Sequence, residues 1–392
     1  MERNNVKLKL CIKKNKLFCY ALSMYLIWVN FIIGVKWNAQ YLVMMNSLGR
    51  AVMIVILLLL GLCLIFQKRL AKSYLLSEII IIVTGVVIYF KTKDNNILFL
   101  VLFMFAAKGL DFDEIVECFA INQVISLVGI LVVFYAGLSQ NVTSYFSYGV
   151  GFSLGTYHAN NLATIVMSGF FALSYCILKN KLWLESLVAI IIAIFLWNIT
   201  LSRTNCLLII LLPISHILIH YMKKTRSTFL LRISKSIVIL LLLISAGMSI
   251  FYNSVNSIFT DGTFAERFRF GLLAFKRYGV HLFGSNIQYI STVEAKISGI
   301  ENMVLDSAYI KILFAYGIIA TICFVFAYTS LISKSIKMKN YDFLIISILF
   351  AISGITQSTV ITVYDFILLA MFTKNFWKRE EFRNEPFTYK IN

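Results

Sequence analysis

The chain has 392 residues, of which 60% are hydrophobic and only 14% charged, and its mean hydropathy is +0.84. A soluble chain carries about 25% charge, so a soluble enzyme or nucleic-acid-binding domain is excluded and membrane-crossing helices are expected. The 36 Lys+Arg against 18 Asp+Glu fit the basic excess on the cytoplasmic side of membrane proteins rather than a nucleic-acid partner.

A crossing helix needs about 20 apolar residues. In chain order, apolar stretches fall at 17–35, 48–66, 77–90, 96–110, 115–138, 159–178, 183–201, 204–222, 236–252, 307–330, 342–357 and 359–373. The first follows a basic stretch and has no small-residue cleavage site after it, so it reads as a span rather than a signal peptide. The third, fourth and last two are short, which leaves the count open by one pair. With the N-terminus inside, most of the 36 basic residues sort to the inner side, which favours twelve spans with both termini cytoplasmic. The expected fold is all-α: one polytopic membrane domain over 1–392, with a large external loop at 253–306 that holds a short amphipathic helix. The seven cysteines have no metal-ligand spacing and outline no disulfide framework. No nucleotide-binding glycine loop or internal repeat is visible, and no metal or other cofactor is expected.

On this topology a few polar residues collect at the outer face. In SYGVGFSLGTYHANNLA (147–163), His158 and Asn160 stand at the start of the sixth span, where an asparagine also suits a helix cap. In LSRTN (201–205), Arg203 follows an apolar run with almost no loop. An arginine at a helix centre in hydrocarbon is unfavourable by roughly 2.5–3.5 kcal/mol, and less so near the interface; snorkelling to lipid phosphates is the plain alternative. Arg50, in NSLGRAVMI, faces the same choice. In ERFRFGLLAFKRYGVHLFGSN (266–286), Arg267 and Arg269 lie on a candidate amphipathic helix at the membrane surface. In VLDSAYIKILFAYG (304–317), Asp306 stands where the helix dipole favours an acid. A cationic pocket at this level fits a lipid-linked phosphate or diphosphate, which arginine binds bidentately. A carboxylate beside it can accept a proton from an attacking hydroxyl; Tyr309, Glu301 and His158 are the alternative bases.

These pieces, in this order, resemble the Wzy-type polymerases of capsule, exopolysaccharide and O-antigen repeat units, and more distantly the O-antigen ligases. The likeness spans roughly 145 to 330 and rests on GTYHANNLA, LSRTN, the Arg-x-x-x-Gly that begins at Arg267, and LDSAYIKILFAYG. Ligases of this superfamily carry His, then Asn, Ser or Gln, then nine residues and a Gly at the end of the loop. Asp306, Ser307 and Gly317 keep that spacing with Asp in place of His, which favours a polymerase. The resemblance implies a metal-independent, inverting glycosyltransferase in the bacterial cytoplasmic membrane. Its substrates would be undecaprenyl-diphosphate-linked oligosaccharides, and its partners membrane lipid, a flippase and chain-length regulators. Arg203, Arg267 and Asp306 would be catalytic; His158, Asn160, Arg269, Tyr309 and Arg50 would bind substrate. A ligase and a lipid-linked oligosaccharide flippase are the alternatives.

Overall fold

The computed structural model describes residues 2–65, 72–146, 148–178, 181–225, 229–255, 262–290, 295 and 299–377. These residues are helical almost throughout. The helices used below are α1 (Glu2–Ile27), α2 (Ala39–Ile65), α3 (Lys72–Thr92), α4 (Asn95–Ala106), α5 (Phe112–Tyr135), α6 (Ala159–Leu173), α7 (Leu182–Thr200), α8 (Arg203–Thr225), α9 (Phe229–Ser234), α10 (Ile237–Ile250), α11 (Tyr252–Val255), α12 (Gly262–Tyr278), α13 (Ala308–Met338) and α14 (Tyr341–Ser353). An antiparallel hairpin, β1 (Thr143–Phe146) with β2 (Gly149–Phe152), interrupts them between α5 and α6.

Among the described residues five helices are long and apolar enough to cross a membrane: α2, α5, Ala159–Leu178, α7 and α13. A sixth arises if α14 and Ser358–Phe372, which meet at a bend of 115°, form one broken span. Length and composition thus support five or six crossings against the twelve expected. The shortfall lies in elements such as α4, whose 12 residues reach about 18 Å at 1.5 Å per residue, short of the roughly 30 Å hydrocarbon layer. Large apolar side chains such as Val43, Leu58, Ile191 and Leu243 stand exposed on the flanks, as lipid-facing surfaces require. α6 is the opposite case: it is buried nearly all round, between α5, α7 and α8.

The interior is more polar than the hydropathy profile shows. Glu185 is fully buried; it accepts from Ser174 and holds His216 Nδ1 at 2.9 Å. Asn30 donates to Gln123 (2.8 Å) and accepts from Tyr364, and Gln123 donates to Ser168. Asp365 is fully buried and accepts from Tyr328. Each group is partnered, as burial in a low-dielectric interior demands.

α13 is not one continuous helix. It makes a π turn at Ile312–Tyr316 and restarts at Gly317, which has φ +90°. The segment after α12 feeds its backbone into this break. The carbonyls of His281 and Leu282 accept from Ile318 N (3.0 Å) and Ile319 N (3.2 Å), while Ser285 N donates to Ala315 O (3.0 Å). The amides that a helix start leaves orphaned are therefore satisfied by the loop. The contact is glycine against glycine: a Cβ on Gly284 would lie 1.9 Å from Ala315 O, and one on Gly317 2.3 Å from Gly284 N.

The helix expected inside 253–306 is present as α12. It does not lie free on a membrane surface, because Phe268 and Ala274 are buried and the helix packs on α10. Gly271 makes the seat: its added Cβ would sit 2.3 Å from Ser249 Oγ of α10 and 3.1 Å from Ile310 of α13. Arg267 and Gly271, four apart, share one face of the helix, so the close crossing holds Arg267 against the start of α13.

Candidate functional site

The site builds around Asp306. This residue lies one position before the helix cap, which falls on Ser307, and the Ser307 hydroxyl donates to Gly354 O (3.2 Å) rather than capping. Asp306 is open to solvent yet surrounded by dense protein, the situation of a group in a concave mouth. Burial raises its carboxyl above the usual carboxylate range; Arg267, His158 and Lys311 pull in the opposite direction without cancelling the rise. Those three are the groups whose charge bears on it.

Arg267 is half-buried, and its Nε is buried with no hydrogen-bond partner among the described residues. A buried unsatisfied donor on a cation calls for an acceptor. His158 caps α6 through Nδ1, which accepts from Asn160 N (3.1 Å). Its ring therefore carries its proton on Nε2 when neutral. Burial lowers its pKa, and the Asp306 charge partly offsets this. Asn160 is the second helical residue; its carbonyl accepts from Thr164 Oγ1 (2.8 Å).

Lys311 was not among the expected site residues. It stands one turn into α13, buried, with Nζ 2.8 Å from Asp94 Oδ2. Asp94 caps α4 through Asn96 N (2.9 Å) and accepts from Tyr316 OH (2.7 Å). Burial raises the Asp94 carboxyl, but Lys311 and these bonds outweigh it and the net shift is downward. The only sequence signal is a lone acid in KTKDNN, which a charge count treats as surface.

Other expected residues have different surroundings. Arg203, the first residue of α8, lies flat on the Tyr148 ring at 3.3 Å from its centroid, and is not among the charges that bear on Asp306. Arg269 is engaged by Glu301 (2.7 Å) and Asn302 (3.3 Å), and Glu301 also takes Arg277 (3.1 Å). Arg269 and Glu301 thus belong to an ion-paired, partly exposed cluster. Tyr309 is fully buried and donates to Ala351 O (2.7 Å), so it ties α13 to α14. Arg50 is exposed on α2, and no contact links it to the recess.

What the arrangement offers is one carboxylate with a raised proton affinity, a guanidinium with an unfilled donor, a capping histidine and a paired lysine at one end of a bundle with apolar flanks. Compared with known proteins, the chain matches no family model, no curated protein and no solved structure.

Proposed function

We propose that the chain polymerises undecaprenyl-diphosphate-linked oligosaccharide repeat units at the outer face of the bacterial cytoplasmic membrane, through twelve membrane segments with both termini in the cytoplasm. The observation that carries this reading is Arg267, whose charge bears on Asp306 and whose buried Nε has no hydrogen-bond partner among the described residues. An arginine with an unfilled donor at the end of lipid-facing helices suits a substrate whose charge is a diphosphate and whose tail stays in the bilayer.

In this reading an acceptor-sugar hydroxyl attacks the anomeric carbon of the donor's reducing-end sugar. The bond from that carbon to the diphosphate oxygen breaks, undecaprenyl diphosphate leaves, and the hydroxyl proton passes to Asp306. A single displacement inverts the anomeric centre. Arg267 meets the charge that builds on the leaving diphosphate, and Arg203 is placed to hold the diphosphate of the other lipid. His158 and Asn160 line the approach at the start of α6. No step needs a metal. A flippase that delivers units and a regulator of chain length are the expected partners.

Removing a preorganised transition-state donor lowers rates by about 100- to 1000-fold. Arg267→Ala is expected to abolish long polymer at normal membrane levels. Arg267→Lys restores only part, since lysine cannot make the bidentate contact. Gel profiles of polymer length check this, and full-length polymer from the Ala variant overturns it.

A specific observation also favours a transporter. α14 and Ser358–Phe372 meet at a sharp bend with Asp365 buried just beyond it, and broken helices with buried ionisable groups are how transporters build substrate sites. Material that accumulates on deletion separates the readings. Single lipid-linked units on the outer leaflet support the polymerase, units held on the inner leaflet a flippase, and long lipid-linked polymer a ligase.

A further inference from the structure

The hairpin between α5 and α6 presents an unpartnered face. In its register Thr143 pairs with Phe152 and Tyr145 with Val150. Alternation along each strand puts these four on one side, and Ser144 and Gly151 on the other. Tyr145, Val150 and Phe152 are 81%, 41% and 39% exposed, whereas Ser144 and Gly151 are buried. The hairpin thus buries its small residues and shows its rings.

It is also held at both ends. Asn141 Oδ1 accepts from Ser153 N (3.1 Å) and Leu154 N (3.2 Å), and Ser153 Oγ accepts from Val142 N (2.8 Å), which closes the base. At the tip, Tyr148 OH donates to Leu201 O (3.4 Å) and its ring carries Arg203, while Gly149 lies against Leu201. The hairpin therefore spans from the Arg203 turn to His158, by way of Tyr157, which lies under Lys36 (5.0 Å).

The composition says what the face can bind. Residues 139–157 contain no Asp, Glu, Lys or Arg, but many Ser, Thr, Tyr, Asn and Gln. A segment that docks on lipid headgroups is normally Lys/Arg-rich on its polar side, and α12 supplies that pattern elsewhere. Exposed rings among uncharged hydroxyls and amides instead match a ligand that is neutral, polar at its edges and apolar on its C–H faces. That is a pyranose ring.

We propose that Tyr145, Val150 and Phe152 form a platform on which an uncharged sugar of the glycan stacks, next to the charged recess. The inference rests on the lipid-linked glycan reading for its substrate, but the platform is tested apart from it. Oligosaccharides from partial acid hydrolysis of the host's surface polysaccharide serve as probe, with the full-length protein in nanodiscs and saturation-transfer NMR as readout. Saturation of sugar C–H protons is expected, weakened about tenfold in affinity by Tyr145→Ala with Phe152→Ala, and retained in Tyr145→Phe. These side chains are exposed, so the variants keep the fold. Arg267→Ala should leave this binding unchanged while it abolishes polymer, so a failed platform and a failed polymerase reading give different results. In a second arm, Tyr145→Trp is placed in nanodiscs with brominated acyl chains. Absence of quenching supports the proposal; strong quenching makes the face a membrane anchor and overturns it. Equal sugar binding by the double Ala variant also overturns it.

Discussion

Asp306→Asn is expected to lower polymer formation by about 100- to 10,000-fold, the usual range for loss of a general base, at unchanged protein level. Asparagine keeps the shape and removes only the capacity to take a proton. A helix-capping role would contribute about 0.5–2 kcal/mol, but the cap position belongs to Ser307, so a large loss cannot be assigned to capping. The pH dependence follows from the same surroundings. Burial holds the Asp306 carboxyl above its usual range, and a base acts only when deprotonated. The rate should therefore rise as pH climbs through that elevated value, placing the acid limb higher than for an ordinary carboxylate. In vitro chain extension across pH is the measurement. Wild-type polymer from the Asn variant would remove Asp306 from the chemistry and return the search for the base to His158, Glu301 and Tyr309.

The second large effect is structural. Gly284→Ala or Gly317→Ala is expected to remove most of the protein from the membrane fraction. The overlaps of 1.9 Å and 2.3 Å are with backbone atoms, which no rotamer change relieves. Separating the strands to make room breaks bonds from Ile318 N, Ile319 N and Ser285 N, and each buried group left unpaired is unfavourable by about 1–3 kcal/mol. A positive φ on alanine adds about 1–3 kcal/mol. The sum is comparable with a typical net stability of about 5–15 kcal/mol. Gly61→Ala and Gly247→Ala are the controls: both lie in helices with nothing within 4 Å of an added Cβ, and both should be neutral or slightly stabilising. Normal levels of the Gly317 variant would show that the loop does not depend on this crossing.

What the sequence revealed and concealed divides along physical lines. Apolar stretches announce helices because twenty greasy residues have few other fates, and the five helices long enough to cross a membrane each overlap a stretch that hydropathy marks, although α2 begins nine residues earlier. Their lengths were less legible, since hydropathy does not register that α4 stops at twelve residues or that α14 bends away. The approach of the Arg267 charge to Asp306 shows in the string only as spacing. Its cause, the close crossing at Gly271, needed the packing of α12 on α10. Arg269 looked equivalent to Arg267 in the string, yet two positions on a helix turn a side chain by about 200°, and Glu301 waited on that side. Tyr309 has a partner that the string does not show, because a phenol at the start of a span satisfies itself on a neighbouring carbonyl as readily as on a substrate. Asp94 and Lys311 were invisible as a pair because 217 positions separate them in the chain.

The distances along the chain that these polar contacts span bear on how the protein is made. Tyr364 reaches back 334 positions to Asn30, and Tyr316 reaches 222 positions to Asp94. A ribosome that has released only the first half of the chain has delivered Asp94 to the bilayer without Lys311 or Tyr316, and Asn30 with Gln123 but without Tyr364. Until the last quarter emerges, the early helices wait as unsatisfied intermediates, and a buried ion pair lacking one member is destabilised by about 3–5 kcal/mol. Assembly is therefore closed from the C-terminal side. A nascent chain that stops short of Lys311 leaves Asp94 without its ion-pair partner, and one that stops short of Tyr364 leaves Asn30 without its donor.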